Sequence, residues 1–310
     1  MRLDDSEVSG NIDDRRGDYV GGGGGFGLPI GGGGLGIGTI IVLGLVGWAL
    51  GIDPRLLIGG AEILSGGGSS YTQPAPQAGS RRTGTPSDET GRFVATVLGN
   101  INAEWTDIFQ KVGRTYEKPT LVLFSRQTSG GCGTAQSAMG PFYCPNDKKV
   151  YLDTSFFHEI ETRFHGCDGR ACKFSQAYVI AHEVGHHVQN LLNVLPQIQQ
   201  QQRGVDRTEA NQLQVKVELQ ADCFAGIWAN HENARLLRQG KPSLVEPGDV
   251  EAALQTASAI GDDTLQRQAG RAVVPDSFTH GSSAQRQRWF ENGFREGTAA
   301  ACNTFRADRL

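Results

Sequence analysis

The chain has 310 residues, with 29 Lys and Arg against 33 Asp and Glu and 38% hydrophobic residues. That length and apolar fraction support a sizeable core and exclude a miniature disulfide-stapled scaffold. A formal charge of −4, with no Lys/Arg block, argues against nucleic acid as a partner. Glycine is uneven, with 22 of 43 in the first 70 residues, so the amino-terminal quarter is read separately.

Residues 1–20 are polar and lead into GGGGGFGLPIGGGG. So little side chain is available for burial that residues 1–34 are expected to be disordered. From Leu35 to Ile52 the run LGIGTIIVLGLVGWALGI has 18 residues without a charge, enough for a tilted transmembrane helix. A cleaved signal peptide fits less well, because its charged region would be long and no A-x-A site follows. A buried core helix would be shorter or amphipathic. The expectation is a retained single-pass anchor in the cytoplasmic (inner) membrane. Arg15 and Arg16 before the run, against Arg55 after it, slightly favour a cytoplasmic amino terminus. Residues 53–90, including SGGGSSYTQPAPQAGSRRTGT, read as a flexible linker.

The folded domain is expected over residues 91–310. Residues 91–112 repeat apolar side chains at three- and four-residue spacing, as a helix with one buried face does. TLVLFS (120–125) and KKVYLDTSFF (148–157) are β-prone, and the turn-rich stretch between them reads as a long connection. Helices are then expected over Phe174–Leu195, where Pro196 would stop the first, over Thr208–Gln239, within Glu246–Gln268, and over Ser282–Asn303. A small sheet followed by several helices makes an α+β domain.

All six cysteines follow the linker, and an even count beyond a membrane span points to disulfides on the extracytoplasmic side. Cys132 with Cys144, and Cys167 with Cys172, would each close a short turn-rich loop. Cys223 with Cys302 remain by elimination. Buried free thiols are the alternative, and the spacing offers no C-x-x-C pair for a cysteine-type zinc site.

The helix over Phe174–Leu195 contains His182-Glu183-Val184-Gly185-His186. Imidazoles at i and i+4 lie one above the other on a helix face, where one metal can take both. Glu183 stands about a quarter-turn away, within reach of a water on that metal. A third ligand is needed, and Glu209, Glu218, Asp222, His231 and His280 are the candidates. Glu218 and Asp222 stand out as acids one turn apart on an otherwise apolar helix. One can hold metal while the other takes the far N–H of a ligand histidine. His280, before the last helix, is a candidate stabiliser of a developing oxyanion; a purely structural role in the loop is the alternative. His187 points away around the helix and is read as structural.

HEVGHHVQN, with VELQADCFAGIWA downstream, resembles the bacterial neutral zinc metallopeptidase family. So do CGTAQSAMGPFYCPND…VYLD, AYVIAHE, THGSSAQRQRWF, the glycine-rich tail and the apolar run. The family is similar to the zincins, in which the Glu of an E-x-x-x-D segment is the third ligand. The resemblance implies a zincin-like domain with one Zn2+ held by His182, His186 and Glu218, and with Asp222 orienting a ligand histidine. The expected activity is hydrolysis of peptide or protein substrates by a metal-activated water, with Glu183 as general base. VYLDTSFF is the expected edge strand for an extended substrate. A catalytically silent zinc-containing binding or chaperone-like envelope module is the alternative, against which the retained Glu183 argues.

Overall fold

The structure, a computed structural model, describes residues 7–18, 82–162, 167, 172–246, 248–270, 272–307 and 309–310. The expected anchor at 35–52 and most of the expected linker lie outside these residues. Among the described residues, no helix is long and apolar enough to cross a membrane.

The first half of the domain builds a sheet and its first helix. The elements are β1 (Ile12–Asp14), β2 (Arg82–Thr83), α1 (Glu89–Lys111), β3 (Thr120–Phe124), β4 (Gln127–Gly130), β5 (Gly133–Gln136), β6 (Phe142–Cys144) and β7 (Lys149–Asp153). The second half is helical. It comprises α2 (Ser155–Thr162), α3 (Cys172–Leu191), α4 (Val194–Gln202), α5 (Arg207–Arg238), α6 (Asp249–Ala259), α7 (Asp262–Gln268) and α8 (Ser283–Glu296). The class is α+β, as the sequence implies.

The main sheet has the order β2-β1-β3-β7-β6, while β4 and β5 pair separately. β1, β3 and β7 are parallel to one another, and β2 and β6 close the two edges antiparallel. From Leu121 to Phe124 every residue of β3 is buried, as expected of an apolar strand covered on both faces. Asp88 caps α1 by accepting from the Gly91 N–H at 2.9 Å. Val94, Leu98, Ile101, Trp105 and Phe109 then form its buried stripe.

Residues 7–18 are ordered, which corrects the expected disorder of 1–34 over that stretch; the rest of it lies outside the described residues. Ile12 is 1% exposed and pairs with Leu121. Ser9 donates its N–H to the Ala95 carbonyl at 2.9 Å. Arg15 is buried, donating to Asp13 at 2.6 Å and to the Ser129 carbonyl at 2.8 Å. Composition hid this strand because three residues suffice when the sheet supplies both partners. β2 and the first two residues of α1 likewise fall inside the expected linker 53–90.

The same pairing corrects the expected single crossing. Asp13 is opposite both Thr83 and Val122, so these residues lie on the same side of any bilayer. One crossing between Asp14 and Arg82 would separate hydrogen-bonded strands.

Two further elements depart from the sequence reading. The 148–157 strand ends at Asp153, whose carboxylate accepts from the Ser155 N–H at 2.9 Å and turns the chain into α2. β7 is flanked by β3 and β6, so it is not an edge, and β6 is. The first long helix ends at Leu191 rather than at Pro196. Asn193 takes a left-handed conformation with φ 64°, and Pro196 sits in the first turn of α4, where no amide hydrogen is needed.

The core is organised around α5, packed between α3 and α8. A Cβ added at Gly293 would lie 1.9 Å from the Cys223 carbonyl oxygen, so α8 lies backbone-to-backbone against α5. The expected disulfides are all present: Cys132–Cys144, Cys167–Cys172 and Cys223–Cys302.

Candidate metal centre

His182 and His186 project from one face of α3, and Glu218 reaches them from the neighbouring α5. One ligand atom from each lies within 4.8 Å of the others. The Glu218 Oε2 is 3.2 Å from His182 Nε2 and 3.5 Å from His186 Nε2. A tetrahedral zinc with ligands at about 2.0–2.1 Å has edges of about 3.3–3.5 Å, so these distances fit. Gln214 donates to the other oxygen of Glu218 at 2.8 Å, which leaves Oε2 to face the histidines.

The far nitrogen of each imidazole is also occupied. Asp222 Oδ1 lies 2.8 Å from His182 Nδ1. The His186 Nδ1 meets Gln189 Oε1 at 2.9 Å. Both imidazoles therefore turn Nε2 toward Glu218, the arrangement a metal requires.

Electrostatics bind the cluster together. Burial opposes charge on His182, but the Asp222 carboxylate, with Glu218, outweighs it and pushes the pKa up to about 10. Burial likewise acts against ionisation of Glu218, yet the His186 charge and hydrogen bonds from both histidines hold it well below the usual carboxylate range. Glu183, 7% exposed and next to both histidines in the helix, is pushed up by burial, partly offset by their charge.

Asp222 is 0% exposed and takes more than one donor. Arg286 of α8 donates to it twice, from Nε to Oδ2 and from Nη2 to Oδ1, both at 2.9 Å. The Tyr178 hydroxyl donates to Oδ1 at 2.6 Å. Sequence reasoning missed both residues, although both carried a signal. Tyr178 stands one turn before His182 on the same face. Arg286 shares its helix face with Trp289 and Phe290, and a cation on an apolar face needs a buried partner.

His280 lies near this cluster, in a loop built by Asp262. That carboxylate accepts from the Thr279, His280 and Gly281 amides at 2.7, 2.6 and 3.0 Å and approaches His280 Nδ1 at 3.3 Å. The His280 side chain is about half exposed, at 51%, and its charge helps to lower the pKa of Glu218. The other candidates fall elsewhere. Glu209 donates its N–H to Asp206 in the first turn of α5, and His231 meets the Gly297 carbonyl at the end of α8. His187 is fully buried between Tyr143 and the Glu117 carbonyl, in keeping with a structural role.

A profile of the family described as "Putative neutral zinc metallopeptidase" matches residues 1–305. The chain belongs to this family. A relative, the Escherichia coli K12 protein YpfJ, is 44% identical over 309 residues, spanning 98% of this chain and 99% of its own. Proteins from Mycobacterium bovis and Mycobacterium tuberculosis H37Rv are each 38% identical over 265 residues, covering 84% of this chain and 85% of theirs. The names of these family members state no activity. No solved structure matches the chain.

Proposed function

We propose that this family member is a zincin-like, zinc-dependent peptidase that hydrolyses peptide bonds in peptide or protein substrates. The observation that carries this reading is the convergence of His182, His186 and Glu218, with Glu218 Oε2 at tetrahedral-edge distances from both Nε2 atoms and Glu183 buried beside them. One Zn2+ would be held by these three residues. When bound, zinc supplies Lewis-acid polarisation of the substrate carbonyl and lowers the pKa of water. Glu183 accepts a proton from the attacking water and returns it to the leaving amine nitrogen. Burial raises its pKa above the ordinary carboxylate value, the direction that favours taking that proton. Asp222, braced by Arg286 and Tyr178, keeps His182 Nε2 turned to the metal. His280, held at Nδ1 by Asp262, would donate to the oxyanion that develops at the substrate carbonyl. An extended substrate would add to β6, one of the two antiparallel edges of the sheet.

Three disulfides support an extracytoplasmic setting for the domain. The apolar run Leu35–Ile52 supports attachment to the cytoplasmic membrane, with its two flanks returning to one side.

The full chain, purified and loaded with zinc, should bind about one ion and cleave an unfolded protein or peptide library. Glu183→Gln should keep the zinc and lose nearly all turnover, because every ligand stays while the base is removed. Full activity in that variant would refute the mechanism. A zinc-loaded wild type inert on the whole library would instead favour a silent binding module.

A further inference from the structure

The hydrogen bond from His186 is the first link of a longer buried chain. Gln189 Oε1 faces His186 Nδ1 at 2.9 Å. The Gln189 amide nitrogen donates to the Val217 carbonyl at 2.8 Å and to Gln220 Oε1 at 3.0 Å. Gln220 in turn donates to the Cys302 carbonyl at 2.9 Å. Gln189 is 0% and Gln220 7% exposed.

The direction of this chain follows from its far ends. Backbone carbonyls only accept, so the Gln189 group facing Val217 and the Gln220 group facing Cys302 must each be NH2. Each side-chain amide then has its oxygen toward the metal centre. An oxygen at Gln189 also only accepts, so His186 Nδ1 must carry the hydrogen. In the neutral ring that a metal takes, Nε2 is then the nitrogen whose lone pair faces Glu218. Each amide is locked against flipping, since a flip would set oxygen against oxygen at a backbone carbonyl. The far anchor is held as well, because Cys302 is 0% exposed and bonded through sulfur to Cys223 on α5.

We infer that Gln189 and Gln220 are positioning residues that fix the tautomer and ring orientation of His186, relaying to it the fixed carbonyl of Cys302. The two metal-facing histidines are thus oriented by different chemistry, a charged Arg286–Asp222 brace for His182 and a neutral amide relay for His186. This rests on the zinc reading above. Gln220, whose hydrogen bonds run to Gln189 and the Cys302 carbonyl, then acts on the metal only through Gln189.

The test uses the full chain with Gln189→Met, Gln220→Met and the double variant. Zinc affinity is measured by competition with a chelator, and the Co2+-substituted protein gives a visible spectrum sensitive to ligand geometry. Gln189→Met is expected to weaken zinc by about 10–100-fold and to shift the Co2+ bands. Gln220→Met should cause a smaller loss with a shift of the same kind. The double variant should match Gln189→Met rather than multiply the two losses, because one residue acts through the other. Metal-free melting points should differ far less than the affinities. Should Gln189→Met fail to fold, the spectrum of Gln220→Met alone decides. Co2+ bands identical to wild type in Gln220→Met would overturn the relay, as would fully multiplicative losses. A wild-type protein that binds neither zinc nor Co2+ would sink the zinc reading itself, and the relay with it.

Discussion

Gly185 of α3 meets Ala221 of α5 so closely that a Cβ on the glycine would lie 3.0 Å from the Ala221 carbonyl oxygen and 3.1 Å from its Cα. Gly185 lies between His182 and His186, and Ala221 between Glu218 and Asp222. The contact therefore sets how deeply the acids of one helix reach into the imidazoles of the other. Alanine is favoured over glycine within a helix by about 1 kcal/mol, so Gly185→Ala gains locally while pressing against backbone that must yield by a few tenths of an ångström. Gly185→Val adds bulk that the interface does not hold. We predict near-normal folding with weakened zinc binding for Gly185→Ala, and loss of stoichiometric zinc for Gly185→Val. Metal content after gel filtration, beside thermal melts, checks both.

The two acids should fail in different ways. Glu218→Ala removes a ligand, and zinc should leave on mild chelation. Asp222→Ala keeps all three ligands, so the metal should be held, but about 10–100-fold more loosely. It also strands Arg286, whose side chain is 3% exposed, without its carboxylate. Breaking a buried pair in this way costs about 3–5 kcal/mol, so Asp222→Ala should lower the urea midpoint far more than Glu218→Ala. Adding Arg286→Met to Asp222→Ala should recover part of that stability without restoring metal affinity. If Asp222→Ala unfolds no more easily than Glu218→Ala, Arg286 does not depend on Asp222.

Local sequence made the donors of this site legible and left its bracing obscure. His182, Glu183 and His186 follow from spacing on one helix, and Glu218 with Asp222 from acids on an apolar face. Arg286 and Gln189 form their contacts only after α8 and α5 have packed against α3, and no spacing rule describes that packing. β1 was lost for a similar reason. Ile12 and Asp13 are strand-forming only because β2 and β3 lie on either side of them. Strand order is equally non-local, which is why VYLD reads as an edge in sequence and sits inside the sheet.

A second buried cluster carries a pH dependence of its own. Glu104 of α1 is 3% exposed; burial, reinforced by Glu232 and opposed by Arg235, pushes its pKa up from 4.5 to about 7. The folded state thus holds this proton more tightly than the unfolded chain. The favourable contribution is complete below pH 4.5 and is lost as the pH rises through about 7. Glu104→Gln keeps an oxygen for Arg235, 3.0 Å away, and removes the charge. The variant should melt above wild type at pH 8, by about 2–4 °C per kcal/mol recovered, and the gap should close by pH 5. A variant less stable than wild type at pH 8 would show that the carboxylate is held there as a useful charge.

The strand pairing of Asp13 with Val122 makes membrane sidedness measurable. Gly10 and Val273 lie on exposed surface, and a Cβ at Gly10 would have no atom within 4 Å, so a cysteine is tolerated at either place. A membrane-impermeant maleimide applied to cells with an opened outer envelope should label Gly10→Cys and Val273→Cys at the same stage, before the cytoplasmic membrane is lysed. A tail left in the cytoplasm by a single crossing would label at Gly10→Cys only after lysis. The docking can be broken separately. A side chain at Gly99 would lie 1.9 Å from the Glu7 carbonyl oxygen, so Gly99→Leu should push residues 7–9 off α1. Arg15 would then be free to leave Thr128 and the Ser129 carbonyl, and Arg16 to leave Asp88, and trypsin should cut there in the variant while sparing the wild type. Equal cutting in both proteins, or labelling of the two cysteines on opposite sides, would mean that β1 does not belong to this sheet.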